Sequence, residues 1–98
     1  MTAEFVRLGD VLKRTAERLR EGEEARAYAA WSAAAGAHVT AAATPVRLAR
    51  GTLVLECESS VWAQELTYLS GEFLAKMHAA DPDCPVERLR FVSGRRPR

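Results

Sequence analysis

The chain has 98 residues, of which 48% are hydrophobic and 28% charged, and its 14 Lys and Arg against 13 Asp and Glu give a net charge of +1. This length predicts one compact domain, and the composition is that of an ordinary soluble protein. Because the net charge is close to zero, the chain as a whole does not attract nucleic acid or a membrane surface electrostatically. Any such partner must bind to a local cluster of charged residues.

The start of the chain shows no signal-peptide pattern, because Met1–Phe5 leads straight into charged residues. No apolar run approaches the roughly 18 residues that a membrane-spanning helix needs. The two cysteines, Cys57 and Cys84, are therefore expected to be reduced thiols. Together these features predict a soluble cytoplasmic protein with no membrane partner.

Two helices are predicted before the first proline. Residues 4–20 carry apolar side chains every three or four positions, which indicates an amphipathic helix. Gly22 predicts its end, since glycine relieves the left-handed backbone at a helix C-terminus. A second helix is predicted to begin near Glu23 and to continue to about Ala42.

Gly36 interrupts the pattern of that second helix. A glycine inside a helix costs about 1 kcal/mol relative to alanine, so it predicts a structural use. Our interpretation is a close approach of the helix to a strand, and the alternative is a helix that ends at Gly36. In either case Thr44 ends the helix, because the residue before Pro45 avoids helical geometry.

Two runs of alternating apolar residues, joined by a turn that contains Gly51, predict an antiparallel hairpin. Gly51 suits the last position of a three-residue turn, Ala49 to Gly51, because glycine adopts positive φ at little cost. The alternating apolar positions are Val46, Leu48, Leu53, Leu55 and Cys57.

The hairpin is followed by a helix and a third strand. Ser59 and Ser60 offer a hydroxyl N-cap for the helix. One apolar stripe then continues along it through Trp62, Leu66, Leu69, Phe73 and Met77. Residues 86–93 predict a strand whose inward positions are Leu89 and Phe91 and whose outward positions are Arg88 and Arg90.

These elements predict the α+β class, with a three-stranded sheet covered on one face by helices. We divide the chain into an N-terminal amphipathic helix (1–22), the folded domain (23–94) and a short basic tail (95–98). Trp31 and Trp62 have two interpretations, as core anchors or as exposed anchors for a base or a protein partner. Their place within apolar stripes favours the core.

Catalytic and metal-binding motifs are missing from the sequence. It contains neither a Gly-x-x-x-x-Gly-Lys-[Ser/Thr] phosphate loop nor a Gly-x-Gly-x-x-Gly fingerprint. His38 and His78 fall on different elements, and no Cys-x-x-Cys or His-x-x-x-His spacing supports a zinc site. The sequence therefore predicts a protein that is not an enzyme and needs no cofactor or metal.

Arginines are the remaining candidates for function. They flank the hairpin turn, share the outward face of the last strand and end the chain. If the outer strands are adjacent, these side chains gather on one side and form a local phosphate-binding strip; the alternative is a solvated strand face. The candidate nucleic-acid-binding residues are Arg47, Arg50, Arg88, Arg90, Arg95, Arg96 and Arg98.

An ordered set of motifs resembles the bacterial DciA family. The set begins with Trp31-x4-Gly36 and Thr44-Pro45-Val46, continues with Gly51-Thr52-Leu53-Val54, and then has Val61-Trp62-Ala63-Gln64-Glu65-Leu66 and Leu89-Arg90-Phe91. It covers about two thirds of the chain. The Gly51-Thr52-Leu53-Val54 segment followed by Ser-x-x-Trp-Ala-x-x-Leu is its most specific part.

This resemblance implies a KH-like αββαβ domain with an additional N-terminal helix. It also implies an ATP-independent adaptor that binds the replicative DNA helicase and assists its loading on single-stranded DNA, which the chain itself holds weakly. The sequence departs from nucleic-acid-binding KH domains because it has no Gly-x-x-Gly loop between helices. A KH-like RNA-binding module and an interaction domain without nucleic acid therefore stay open as alternatives.

Overall fold

A computed structural model describes the backbone of residues 2–93 and the side chains of residues 18–93. Its six elements follow one another almost without linkers, apart from residues 81–87 before the last strand. They are α1 (Thr2–Ala42), β1 (Ala43–Ala49), β2 (Thr52–Cys57), α2 (Ser60–Tyr68), α3 (Ser70–Ala80) and β3 (Arg88–Ser93). The predicted α+β class and the KH-like arrangement are confirmed.

The first helix is longer than the sequence predicted. α1 runs through Gly22, so the predicted stop there is wrong. Gly22 has no neighbouring atom within 4 Å of its Cβ position, and the strong helix formers around it outweigh a penalty of about 1 kcal/mol. The domain boundary placed at residue 22 stays a prediction.

Gly36 breaks the helical geometry of α1 while the chain remains helical on both sides. Its dihedral angles are φ 81° and ψ 169°, a combination that is essentially restricted to glycine. No atom lies within 4 Å of its Cβ position, so the predicted close approach to a strand is wrong. The glycine is needed for its backbone conformation, which kinks α1 six residues before the helix ends at Ala42.

The three strands form one sheet in the order β1-β2-β3. β1 and β2 are antiparallel, as predicted, and β2 and β3 are parallel. Arg50 and Gly51 both have positive φ, 52° and 80°, so the turn has two residues rather than three. The predicted phosphate-binding strip assumed that the two outer strands are adjacent. β2 lies between them, so this assumption is wrong.

The predicted third helix is two helices. Ser59 caps α2 as expected, because its side chain accepts a hydrogen bond of 3.2 Å from the Trp62 amide. At Leu69 the helix tightens, with the Leu69 amide donating to the Leu66 carbonyl, and α3 begins at Ser70. The single continuous helix of the prediction is therefore wrong, although its apolar stripe survives: Leu66, Phe73 and Met77 are all buried.

The core lies between the helices and one face of the sheet. Trp31 is completely buried at its centre, with its ring 5.3 Å from that of Phe73 and 5.7 Å from that of Phe91. Its indole nitrogen donates to the Ala43 carbonyl at 3.2 Å, so the polar atom of this large side chain is also satisfied. The core interpretation is correct for Trp31, whereas Trp62 is half-buried.

Candidate functional site

The strand register decides which arginines share a surface. Residues opposite each other on neighbouring strands point to the same face of a sheet. Arg47 is opposite Val54, and Val54 is opposite Arg90. The two arginines therefore flank one valine on the same face, about 10 Å apart from backbone to backbone.

This face points away from the helices, and we call it the open face. Arg88 belongs to it as well, since Thr52 opposite it is two residues from Val54 along β2. The other face carries the core residues. The open face consists of Thr44, Arg47, Ala49, Thr52, Val54, Glu56, Arg88, Arg90 and Val92.

A β-bulge in β1 brings Arg47 to the open face. The register shifts by one residue between Pro45 and Arg47, so Val46 has no partner and is 36% exposed. Without this shift the pairing of Pro45 with Leu55 would continue with Arg47 opposite Leu53, on the core side. The predicted regular alternation of Val46 with Leu48 is therefore interrupted, and the bulge is what aims Arg47 outward.

Val54 is buried, with 6% exposure, although it lies on the open face and outside the core cluster. Arginine side chains often cover apolar surface with their methylene stems while their guanidinium groups stay in water. Arg47 and Arg90, which flank Val54 in the register, are both exposed. We interpret the burial of Val54 as cover from these two stems, an arrangement that holds both charges at the surface.

The open-face arginines are available for a ligand within the part of the chain whose side chains are described. Among residues 18–93, Arg47, Arg88 and Arg90 form no ion pair with an acidic side chain. Arg26 is different: its guanidinium donates to both oxygens of Asp81, at 2.5 and 2.9 Å. This hydrogen bond from Arg26 lowers the pKa of the Asp81 carboxyl.

Arg50 lies in different surroundings. It lines a groove of about 890 Å³ between the hairpin turn and α1, together with Arg20. Glu24 is fixed there, because its carboxylate accepts a 3.2 Å hydrogen bond from the Leu48 amide. A surface so rich in carboxylates disfavours a phosphate. The glutamates of this groove are Glu21, Glu23, Glu24 and Glu87.

Arg95, Arg96 and Arg98 lie outside the described residues, so their role stays a prediction.

Cys57 and Cys84 are both buried free thiols, and burial raises the pKa of the Cys57 thiol. Across the described residues, no three His, Cys, Asp or Glu side chains come together as a metal site. No described helix has a stretch apolar enough to cross a bilayer.

Two features of this site could not be predicted from the sequence. The bulge at Val46 has no signal in the alternation of apolar residues, because a valine fits either face of a strand. The glutamates around Arg50 are visible as a run from Glu21 to Glu24, but their contact with a turn some 25 residues away depends on how α1 crosses the sheet.

Comparison with known proteins gives one family. The sequence model of the family described as "Dna[CI] antecedent, DciA" matches residues 7–91. UPF0232 proteins of Mycobacterium ulcerans and Mycolicibacterium smegmatis are 36% identical over 62 residues, which is 63% of this chain. A UPF0232 protein of Mycobacterium leprae is 32% identical over 69 residues, or 70% of this chain. The match covers 32–36% of the length of these curated relatives.

Proposed function

The chain belongs to the DciA family, and on that premise we propose that it is an ATP-independent adaptor that binds the replicative DNA helicase in the cytoplasm and assists its loading on single-stranded DNA. The family match over residues 7–91 is the observation that carries this proposal. The missing phosphate loop supports it, because an adaptor of this kind hydrolyses no nucleotide.

The open face is the proposed contact with DNA. Arg47, Arg88 and Arg90 would bind phosphates, which fixes the position of a strand without reading its sequence. Described aromatic residues do not lie on this face, so base stacking of the kind seen in many single-strand-binding proteins has no support there. We therefore propose weak, salt-sensitive and sequence-independent binding.

RNA binding is the second candidate function, because the fold is KH-like. In KH domains that bind nucleic acid, a Gly-x-x-Gly loop joins two helices. Here α2 and α3 meet at Leu69 alone, between Tyr68 and Ser70, and the sequence around the junction has no such loop. An RNA-binding module would prefer RNA to single-stranded DNA of equal length and would be indifferent to the helicase.

A loading experiment tests the proposal. The folded chain is added to the purified replicative helicase and a forked DNA substrate, and helicase bound to the single strand is measured with and without the chain. We expect a direct complex at micromolar concentrations and more loaded helicase. If the folded protein forms no complex with the helicase at these concentrations, the proposal is wrong.

A further inference from the structure

The two edges of the sheet differ in whether their outward backbone groups are bonded. An edge strand presents a row of N–H and C=O groups, which proteins usually block against pairing with another chain. On β1 the Ala43 carbonyl accepts a hydrogen bond from the Trp31 indole. The Leu48 amide donates to the Glu24 carboxylate, and Pro45 has no amide hydrogen to offer. The β1 edge is therefore closed to a further strand.

The outer edge of β3 has none of these blocks. The Arg88 amide donates to the Gly51 carbonyl at 3.0 Å, and in a parallel ladder alternate residues bond to the neighbouring strand. Arg90 therefore also bonds to β2, whereas Leu89 and Phe91 turn their N–H and C=O groups to the outer edge. In the part of the chain whose side chains are described, neither a side chain nor a backbone group outside the sheet bonds to these two residues.

A cleft beside this edge is placed to receive one side chain of an added strand. It has a volume of about 190 Å³ and lies between the start of α3 and the start of β3, with Gly71, Leu74 and Leu89 in its lining. Glu87 also lines it, but a carboxyl oxygen of Glu87 lies 3.1 Å from the Cβ position of Gly51, on the side of the hairpin turn. When a peptide adds to a sheet edge, main-chain bonds give affinity and pockets for alternate side chains give specificity.

The strand register decides which side chains of an added strand meet this cleft. Leu89 is opposite Leu53 and faces the helices, so a residue opposite Leu89 on the added strand points to the cleft. Its two neighbours point to the open face, opposite Arg88 and Arg90. The leucines of the cleft favour an apolar residue between them.

The charges beside the edge favour acidic residues at those two neighbouring positions. Arg88 and Arg90 are exposed and form no ion pair with an acidic side chain among residues 18–93. Glu56 also lies on the open face, but it is opposite Val92, further along β3. Opposite charges on facing positions of neighbouring strands are stabilising.

A second copy of the chain complements this edge less well than an acidic segment does. Pairing β3 with β3 would bring Arg88 and Arg90 of both copies onto adjacent strands. Like charges directly opposite each other on neighbouring strands are destabilising.

We propose that the outer edge of β3 binds an extended segment of a protein partner as an additional strand, with the pattern acidic–apolar–acidic. The apolar residue enters the cleft beside Leu89, and the acidic residues lie opposite Arg88 and Arg90. This site goes beyond the adaptor function and does not depend on it. Because the same two arginines are proposed phosphate contacts, the added strand and single-stranded DNA would compete for them.

Titration of the whole chain with synthetic peptides, followed by NMR, tests the site. The probe is the acetylated and amidated peptide Thr-Val-Glu-Leu-Glu-Thr, for which we expect saturable binding. The same residues in the order Thr-Glu-Glu-Leu-Val-Thr keep the charge but lose the alternation, and this peptide is expected to bind at least about tenfold more weakly. Equal affinity of the two peptides, or no binding of the first, overturns the proposal.

Amide hydrogen exchange in the same samples shows where the probe binds. In the free chain the Leu89 amide is expected to exchange faster than the Arg90 amide, which bonds to β2. Saturating probe is expected to slow exchange at Leu89 and Phe91 at least about tenfold, because their amides gain a partner. Binding without this protection overturns strand addition.

Charge reversal on the chain gives the matched comparison, with circular dichroism to check that each variant is folded. Arg88→Glu and Arg90→Glu are each expected to weaken probe binding about three- to tenfold, because a cross-strand attraction becomes a repulsion. Arg47→Glu is the control, since Arg47 shares the open face but lies on β1, at the far side of β2. Its affinity is expected to change less than about twofold, because solvent and salt screen charges at that separation. Equal weakening by all three variants assigns the peptide to the open face as a whole and overturns the edge site.

Discussion

The two faces of the sheet are built from alternating residues of the same strands and differ in what buries their apolar residues. On β2, Leu53 faces the helices and is completely buried, and its neighbour Val54 faces outward and has 6% exposure. Leu53 is enclosed by a packed core, and we attribute the burial of Val54 to two flexible arginines. One face therefore stabilises the fold, and the other holds positive charge over a small apolar patch.

Truncating Leu53 and Val54 separately to alanine tests this difference between the faces. Of the substitutions considered, it is expected to have the largest effect on the free energy of unfolding. Leu53→Ala leaves a cavity in a packed core and is expected to lower the free energy of unfolding by about 2–5 kcal/mol. Val54→Ala is expected to cost only about 1–2 kcal/mol, since arginine stems can settle into the vacated space. Urea denaturation of both variants gives the comparison, and equal costs would contradict it.

The hairpin turn sets the register of the strands. A substitution in this turn is expected to have the next largest effect on the free energy of unfolding. Gly51→Ala places a side chain at φ 80°, and its Cβ would lie 3.0 Å from the Glu87 side chain. The Gly51 carbonyl also accepts hydrogen bonds from the Glu87 and Arg88 amides, so strain there reaches the start of β3. We expect a loss of about 1–3 kcal/mol in unfolding free energy.

Gly22→Ala is the control for Gly51→Ala. Gly22 lies in regular helix with no atom within 4 Å of its Cβ position. The change is expected to stabilise the protein by up to about 1 kcal/mol. Loss of stability in Gly22→Ala would show that α1 is not a regular helix at this residue.

Paired charges on the helical side of the molecule are expected to make a smaller contribution to stability, and this contribution depends on pH. The Arg26 hydrogen bond lowers the pKa of Asp81 below that of an unfolded aspartate, ordinarily about 4. The pair therefore contributes stability above that pH, and the contribution is lost as the pH falls through the folded-state pKa. Asp81→Asn is expected to be less stable than wild type at neutral pH, and the difference should narrow toward acid. A difference that is constant with pH would contradict this assignment.

The sheet face that packs against the helices could be predicted from the sequence better than the open face. The burial of Trp31, the cap at Ser59 and the inward position of Phe91 follow from local periodicity and hydrogen-bonding chemistry, and all three are confirmed. The extra residue at Val46 and the helix break at Leu69 depend on tertiary packing. A shift of one residue preserves the apolar composition of a strand and reverses its faces, so alternation alone cannot reveal it.

The candidate site was predicted only as a set of residues. Arg88 and Arg90 were placed on one face because strand alternation requires it. Arg47 reaches that face through the bulge, and Arg50 lies in a groove with glutamates, and neither fact is local in sequence. Long-range packing therefore places these arginines in different surroundings, although their sequence context does not distinguish them.

The most direct test of the open face is the salt dependence of binding to a fluorescent single-stranded DNA. We expect the logarithmic slope of affinity against salt to fall by roughly 0.7 for each phosphate contact removed when Arg47, Arg88 and Arg90 are replaced by Gln, singly and together. Arg50→Gln is the matched control and should leave the slope unchanged, and RNA of equal length should bind no better than the DNA. An unchanged slope in the triple variant, with the protein folded, would contradict the account.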